Sequence, residues 1–154
     1  MHIEIYSDGS GNTFDSDGGY GYRLVVDGVP HSDGSGYISK ATNNVAEIQA
    51  AISGLIAVRE YKHNIVFSAE YLLIQSDVKV TLISDSQLVL GYATGRYQCK
   101  ALHLTQLYIQ LRQLFKELNA EAKWVKGHSG NEHNEACDLL AKKAREGKGT
   151  STAG

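Results

Sequence analysis

Apolar and polar residues alternate at the start of the chain, with the period of two that is typical of a β-strand. Ile3 and Ile5 share one face of the first predicted strand. The three strands predicted in the first part of the chain cover residues 2–7, 20–26 and 31–39. Asp27 and Gly28 separate the second from the third and are a strong signal for a tight hairpin. We therefore expect these strands to form an antiparallel meander.

From residue 43 onward, most apolar residues recur with the period of a helix. The first helix is predicted over residues 43–61. Its apolar stripe consists of Val45, Ile48, Ile52, Leu55 and Ile56. The polar side chains of Thr42, Asn43 and Asn44 can cap its exposed N–H groups. Ala51 and Gly54 are small and would let this helix approach the sheet closely.

The second half of the chain contains further alternating strands and helices. They are a strand at 78–84, a short helix at 85–93, an amphipathic helix at 100–118, a strand at 121–126 and a helix at 131–146. Residues 62–77 permit two interpretations, either a segment that packs on the sheet edge or a lip that binds a protein partner. Residues 147–154 are expected to be a disordered tail, which leaves one domain over residues 1–146.

Composition is typical of an ordinary globular protein. The chain has 154 residues, of which 42% are hydrophobic and 21% charged. No apolar run approaches the roughly 18 residues of a membrane span, and the first residues do not resemble a signal peptide. The two cysteines, Cys99 and Cys137, do not make a disulfide framework. We expect a cytoplasmic monomer with free thiols.

Charge is distributed unevenly along the chain, although the net charge is only −2. Residues 1–47 contain seven acidic and two basic residues, a net charge of −5. Residues 93–148 contain ten basic and six acidic residues, a net charge of +4. A surface that follows nucleic-acid phosphates is therefore expected to come from the second half, unless these bases are scattered over solvated faces.

Four acidic residues have contexts that favour a shared site. Asp8 and Asp85 follow apolar strand residues, and Glu47 and Asp138 lie on predicted helices. Carboxylates brought together repel one another unless a positive charge lies between them. Ligands that are all oxygen favour hard cations such as Mg²⁺ or Mn²⁺, which indicates two-metal phosphodiester chemistry.

Each of these acids also has a purely structural interpretation. Asp85 can cap the helix that follows it, and Glu47 can be a solvated helix residue. Asp138 can form an ion pair with Lys142 one turn further along its helix. Sequence pattern alone does not decide between these interpretations and the metal-ligand interpretation.

At these residues the chain resembles the type 1 ribonucleases H. The matching segments occur in the family's order and are Ser7 to Ser10, Gly18 to Gly21, Thr42 to Glu47, Ser84 to Gln87, Trp124 to His128 and Asn134 to Asp138. The resemblance implies an α/β ribonuclease H-like fold. In that fold, a five-stranded mixed sheet has antiparallel strands 1–3, then parallel strands 4 and 5, with helices on both faces.

The resemblance also implies an activity. It is that of an endonuclease that cuts the RNA strand of RNA–DNA hybrids with two Mg²⁺ ions, for which Mn²⁺ can substitute, leaving 5′-phosphate and 3′-hydroxyl ends. The implied metal ligands are Asp8, Glu47, Asp85 and Asp138. The implied role of His128, which glycines flank, is proton transfer or product escort.

Substrate contacts are expected from small and amide-bearing residues near the site. The candidates are Gly9, Ser10, Asn12, Thr42, Asn43, Asn44, Gln87 and Asn134. In the family, the segments that match Asn43, Asn44 and Gln87 contact the minor groove of the hybrid. Asn134 shares a helix face with Asp138 and can orient it or a nearby ligand.

The chain departs from the family in two places. The turn at residues 11–17 has two additional acids, and residues 94–103 are too short and too weakly basic for the basic arm of several members. Two rival functions stay open: another nuclease of the same fold, such as a junction resolvase, and a domain that binds nucleic acid without cutting it.

Overall fold

In the computed structural model, which describes residues 1–12, 16–65 and 78–147, five strands form one mixed sheet. The strands are β1 (His2–Ser10), β2 (Gly18–Val26), β3 (Val29–Ile38), β4 (Lys79–Ser84) and β5 (Glu121–Trp124). Their order across the sheet is β3-β2-β1-β4-β5. The first three are antiparallel, whereas β4 pairs parallel with β1 and with β5. The predicted fold class is confirmed.

The hairpin between β2 and β3 has the predicted turn. Asp27 and Gly28 both have positive φ angles, of 49° and 83°, which a two-residue hairpin loop requires. β1 and β2 are longer than the alternation predicted, because their antiparallel pairing continues to Ser10 and Gly19. Polar and glycine residues that looked like a turn are therefore still part of the sheet.

Four α-helices connect or follow these strands in the described ranges. They are α1 (Asn43–Ile65), α2 (Gln87–Thr94), α3 (Thr105–Glu117) and α4 (Glu132–Glu146), with a 3-10 turn at Leu102–Leu104. The predicted end of the first helix at residue 61 is wrong, because α1 continues to Ile65. The predicted helix at 100–118 is shorter, since residues 102–104 form the 3-10 turn.

Two predictions fall largely outside the described residues. Of the segment 62–77, the structure describes only residues 62–65, which belong to α1, and residue 78 follows. Of the predicted tail at 147–154, it describes only Gly147. The packing and partner-lip interpretations of 62–77, and the predicted tail, therefore stay predictions.

Helices α1, α2 and α3 cover one face of the sheet and bury the larger core. Nineteen buried residues form this cluster, including Ile3 and Ile5 of β1 and Ile48 and Ile52 of α1. A Cβ atom on Gly54 would lie 2.7 Å from the side chain of Ile5. The predicted close approach of α1 to the sheet is confirmed, and it depends on this glycine.

Helix α4 covers the opposite face with a much smaller apolar contact. The buried cluster here consists of Tyr6, Val25, Ile83 and Cys137. The helix lies directly on β2, where a Cβ atom on Gly19 would stand 2.3 Å from the carbonyl oxygen of Ala141. The two sides of the sheet thus hold their helices with different amounts of buried apolar surface.

Two further observations bear on the predictions from composition. No helix in the described part of the chain is long and apolar enough to cross a membrane. Cys99 and Cys137 are both free thiols, as expected.

Candidate carboxylate site

Asp8 and Asp85 reach the same edge of the sheet on neighbouring strands. β1 and β4 run parallel, and their last paired residues are Tyr6 and Ile83, so both aspartates lie just beyond that pairing. Asp85 directly follows β4, as predicted. Asp8 does not end its strand, because β1 continues to Ser10 through its pairing with β2. The prediction that neighbouring strands bring the two carboxylates together is confirmed.

Glu47 joins them from the first turns of α1. Thr42 caps this helix, because its Oγ1 accepts a hydrogen bond from the N–H of Val45 at 3.3 Å. The helix then lies against β1 at Gly9, where a Cβ atom would stand 2.3 Å from the backbone of Ala46 and Glu47. A side chain at position 9 would push α1 away, so Gly9 allows the glutamate to enter the site.

The N–H of Gly9 donates to the carboxylates of Asp8, at 3.0 Å, and of Glu47. This N–H therefore faces the acidic cluster, and a contact between Gly9 and the substrate stays a prediction. One carboxylate oxygen from each of Asp8, Glu47 and Asp85 lies within 4.8 Å of the others.

Burial and crowding change the proton affinity of this cluster. Burial raises the pKa of Glu47, and the hydrogen bond and charge of Asp8 raise it further. Burial also raises the pKa of Asp8, and the charges of Asp85 and Asp138 add to that effect. Asp8 and Glu47 thus hold protons more firmly than free carboxyls do, although the hydrogen bond from Glu47 partly lowers the pKa of Asp8.

Asp85 is held by contacts on several sides. The Nδ2 of Asn134 donates to its Oδ2 at 3.5 Å, and the indole N–H of Trp124 donates to its carbonyl oxygen at 3.1 Å. A Cβ atom on Gly127 would stand 2.9 Å from the same Oδ2. Asn134 is 2% exposed and contacts Asp85. Of the two predicted targets of its orienting role, Asp138 and a nearby ligand, it therefore orients the nearby ligand.

The cap of α2 is Ser86 and not Asp85. The Oγ of Ser86 accepts the N–H of Val89 at 3.2 Å, and Ser86 has the extended backbone of a cap residue. The helix-cap interpretation of Asp85 is therefore wrong, and its carboxylate is available to the cluster.

Asp138 lines the same cleft but stands apart from the three clustered oxygens. Its Oδ2 forms an ion pair with the Nζ of Lys142 at 3.1 Å, so the predicted Asp138–Lys142 ion pair is confirmed. The side chain of Asp138 is 25% exposed, whereas Asp8 and Glu47 are each 7% exposed. Asp138 therefore belongs to the rim of the site.

The site opens as a cleft of about 350 Å³ whose lining is mostly polar. Its lining residues are Asp8, Gly9, Ser10, Gly11, Asn12, Asn43, Glu47, Asp85, His128, Asp138, Lys142 and Arg145. His128 is exposed in the loop after β5 and has a positive φ of 54°. Four of the predicted substrate residues are not part of this lining, namely Thr42, Asn44, Gln87 and Asn134.

Sequence analysis missed two residues with clear positions in the site. Arg145 lines the cleft, and Trp124 holds the backbone of Asp85. Arg145 lies seven positions after Asp138, which is a helical spacing that places both on one face and is readable from the sequence. The role of Trp124 depends on how β5 approaches β4, and no local pattern indicates it.

A mixed sheet of this order, with acidic residues from β1, β4 and two helices at one edge, defines a ribonuclease H-like fold. The sequence model of the RNase H family matches residues 1–146. The ribonuclease H of Aeromonas salmonicida (strain A449) is 32% identical over 154 aligned residues, which cover 96% of this chain and 92% of that protein. The chain belongs to the ribonuclease H family, whose members are hydrolases.

Two solved structures are similar to this chain over nearly its whole length. RNase H1 from the halophilic archaeon Halobacterium salinarum NRC-1 has 26% sequence identity and a TM-score of 0.75, covering 95% of this chain and 98% of its own. LC11-RNase H1, solved in complex with an RNA/DNA hybrid, has 24% identity and a TM-score of 0.73, covering 94% and 96%.

The donor set fits a hard divalent cation. Three carboxylates supply oxygen only, and burial and crowding raise the pKa of Asp8 and of Glu47, so a nearby cation would favour their ionised forms. Mg²⁺ and Mn²⁺ prefer such ligands, whereas no cysteine or histidine nitrogen belongs to the clustered group in the described residues.

Proposed function

We propose that this protein is an endoribonuclease that hydrolyses the RNA strand of RNA–DNA hybrids with two Mg²⁺ ions. The observation that carries the proposal is the cluster of Asp8, Glu47 and Asp85, whose oxygens lie within 4.8 Å of one another in a chain of the ribonuclease H family. Membership of this family supports the substrate, and the hybrid complex of LC11-RNase H1 is consistent with it. Products would carry 5′-phosphate and 3′-hydroxyl ends.

The proposed role of each residue depends on its position in the cleft. Asp8, Glu47 and Asp85 would hold metal in the interior of the cleft, and Asp138 would complete the ligand set from the rim. When bound, such ions supply a water of lowered pKa and stabilise the charge that develops on the leaving 3′-oxygen. Asn134 and Trp124 keep Asp85 oriented through its carboxylate and its backbone.

His128 is placed to move a proton. It is exposed at the mouth of the cleft, on a loop between two glycines, and an imidazole can both accept and donate a proton. It would take up or deliver a proton at the reacting phosphate or leaving oxygen and escort the product out.

Substrate contacts would come from both ends of the cleft. Asn12 and Asn43 line it on the α1 side with amide groups that can reach hydroxyls and base edges. Lys142 and Arg145 line it on the α4 side and supply the cations expected from the second half of the chain. The 2′-hydroxyls of the RNA strand distinguish a hybrid from duplex DNA.

Cleavage of defined duplexes tests the proposal. Purified protein with Mg²⁺ is incubated with end-labelled RNA–DNA, RNA–RNA and DNA–DNA duplexes and with a four-way DNA junction. The expected result is cutting of only the RNA strand of the hybrid, abolished by EDTA. Cleavage that resists EDTA, or equal cutting of duplex RNA, would contradict it.

The same assay separates the rival functions. Cutting of the junction alone would favour a resolvase, and binding without cutting would favour a non-cleaving domain. A Glu135→Gln variant, which removes an exposed acid on α4, is the matched control for loss of a negative charge. Cytoplasmic location and a monomeric state stay predictions, which fractionation and size measurements check.

A further inference from the structure

Helix α4 brings Asp138, Lys142 and Arg145 to the cleft, yet the apolar cluster between this helix and the sheet is small. Its buried cluster consists of Tyr6, Val25, Ile83 and Cys137. Because this apolar cluster is smaller than the one beneath α1, directional contacts contribute a larger share to fixing the position of α4. Polar contacts between α4 and the strands beneath it are directional in this way.

A chain of side chains crosses the sheet and ends on the first turn of α4. Arg23 of β2 donates from Nε and Nη2 to the two carboxylate oxygens of Asp33 in β3, at 2.8 and 3.1 Å. Its remaining nitrogen, Nη1, lies 3.3 Å from Nδ1 of His133 in α4. The ring of His133 also contacts the ring of Tyr6 in β1, with centroids 5.0 Å apart. Three strands are thus connected to one residue of the helix.

The geometry fixes the chemical form of this contact. A guanidinium has only donors, so Nδ1 of His133 accepts and its proton is on Nε2. The bidentate pair with Asp33 fixes the plane of the guanidinium, and Arg23 can therefore direct Nη1 at one point. The contact is directional, unlike the apolar packing of α4.

The residues that follow His133 belong to the site. Asn134 is the next residue and donates to Asp85, and Asp138 lies five positions after His133 on the same helix. An α-helix transmits a displacement of its first turn to the following turn, because its backbone hydrogen bonds keep it rigid. A shift at His133 would move both side chains relative to Asp85.

We propose that Arg23 and His133 are positioning residues for the carboxylate site: their contact fixes the first turn of α4 and so holds Asn134 and Asp138 in place toward Asp85. Neither residue lines the cleft, and both act through α4. The inference rests on the proposed function only where enzyme activity is measured.

Two substitutions at one position separate the acceptor from the ring. His133→Phe keeps an aromatic ring beside Tyr6 and removes the acceptor, whereas His133→Asn places an amide oxygen close to the position of Nδ1. Arg23→Leu removes the donor from the other side. Arg59→Leu breaks the exposed Arg59–Glu117 pair between α1 and α3 and is the control for loss of a distant ion pair.

The first readout is the Mg²⁺ concentration that gives half-maximal hybrid cleavage. We expect His133→Phe and Arg23→Leu to raise it by roughly 3- to 10-fold, the effect of one lost hydrogen bond, with the rate recovering at saturating Mg²⁺. His133→Asn and Arg59→Leu should match the parent. A purely structural role would lower stability without this shift and without rescue by Mg²⁺.

The second readout needs no substrate. The rise in melting temperature that Ca²⁺ produces should be smaller for His133→Phe and Arg23→Leu than for His133→Asn and Arg59→Leu. If the parent does not cut the hybrid, the proposed function fails, and this measurement still tests the inference. The inference is overturned if His133→Phe and Arg23→Leu respond to Mg²⁺ and Ca²⁺ as the parent does. It is also overturned if His133→Asn loses as much of the metal response as His133→Phe.

Discussion

Helices α1 and α4 approach the same sheet from opposite faces, and each presents one acidic residue to the cleft. α1 is part of a core of nineteen buried residues, and its Glu47 is 7% exposed and hydrogen-bonded to the N–H of Gly9. α4 contributes Cys137 to a cluster of only four buried residues, and the side chain of its Asp138 is 25% exposed and paired with Lys142. The position of Glu47 is fixed by the larger core, whereas the position of Asp138 depends on how α4 packs on the sheet.

This difference divides the carboxylate site into a buried part, with Asp8 and Glu47, and a more exposed part at Asp138. Asp8, Glu47 and Asp85 each place one carboxylate oxygen within 4.8 Å of the others, and burial and this crowding raise the pKa of Asp8 and of Glu47. Asp138 has its own counter-charge and so does not need the cation to be satisfied. Metal binding should therefore change the α4 side more than the α1 side.

The largest effect should come from removing a clustered carboxylate. Asp8→Asn should reduce hybrid cleavage by at least ~10³-fold, because an amide cannot balance the charge of divalent cations worth several kcal/mol in the transition state. Asp138→Asn should cost less, roughly 10- to 100-fold, because Asp138 stands at the rim. Single-turnover rates at saturating Mg²⁺ measure both, with Glu135→Gln as control. Equal losses of cleavage rate in Asp8→Asn and Asp138→Asn would contradict the distinction between the buried carboxylates and Asp138.

His128→Ala should leave more activity than Asp8→Asn. A positioned proton carrier contributes roughly 10²- to 10⁴-fold, and water can partly replace it in an open cleft, so we expect a loss of about 10²-fold. The measurement is the pH dependence of the rate under single turnover, and added imidazole should restore part of it. If His128→Ala were as inactive as Asp8→Asn, the assigned roles of His128 as proton carrier and Asp8 as metal ligand would be wrong.

Two matched glycine substitutions compare the faces directly. Gly9→Ala places a Cβ atom 2.3 Å from the backbone of α1, and Gly19→Ala places one 2.3 Å from the backbone of α4. Overpacking costs roughly 1–3 kcal/mol, and we expect Gly9→Ala at the upper end because the larger core cannot shift. Gly19→Ala should lose less stability but should impair metal-dependent cleavage, because α4 moves with Asp138.

Urea unfolding and Mg²⁺ titration of the two variants check this expectation. If Gly19→Ala loses as much stability as Gly9→Ala, the two helices are held equally firmly. The amount of buried apolar surface would then not explain the difference between the two carboxylates.

A smaller effect concerns pH in the absence of metal. The folded-state pKa values of Asp8 and Glu47 lie above those of unfolded carboxyls near 4, so the folded protein binds more protons than the unfolded chain. In EDTA, the free energy of unfolding should therefore fall as pH rises from about 4 toward neutrality. Asp8→Asn should show a shallower fall, since it removes one of the two coupled groups.

Thermal unfolding at several pH values, in EDTA and in Mg²⁺, measures this dependence. The stabilisation by Mg²⁺ should increase with pH, because the cation requires ionised carboxylates. A steeper pH dependence in Asp8→Asn than in the parent would contradict the pKa directions given for this pair.

Sequence patterns predicted most elements of the fold, and their errors have physical causes. The first helix was predicted to end at residue 61, yet α1 continues to Ile65, because its exposed face tolerates polar residues such as His63. Gly9 and Ser10 looked like a turn, yet β2 pairs with them and continues the strand. The local secondary-structure propensity of a sequence gives no information about these tertiary contacts.

The candidate site was predictable to the extent that its residues carry distinctive chemistry. Four carboxylates and His128 have contexts that indicate a site, and all five line one cleft. The orienting contact of Trp124 and the Arg23–His133 contact were not predictable, because they join elements that are distant in the chain. Their importance follows only from how the strands and α4 are arranged.

Native-state hydrogen exchange tests the central comparison most directly. In EDTA, we expect the amides of α4 to exchange through a local opening of lower free energy than the amides of α1 in contact with β1. Mg²⁺ should raise the protection of α4 more than that of α1, and Asp138→Asn should remove much of this gain. Equal protection of the two helices in EDTA, unchanged by Mg²⁺ on the α4 side, would contradict the account.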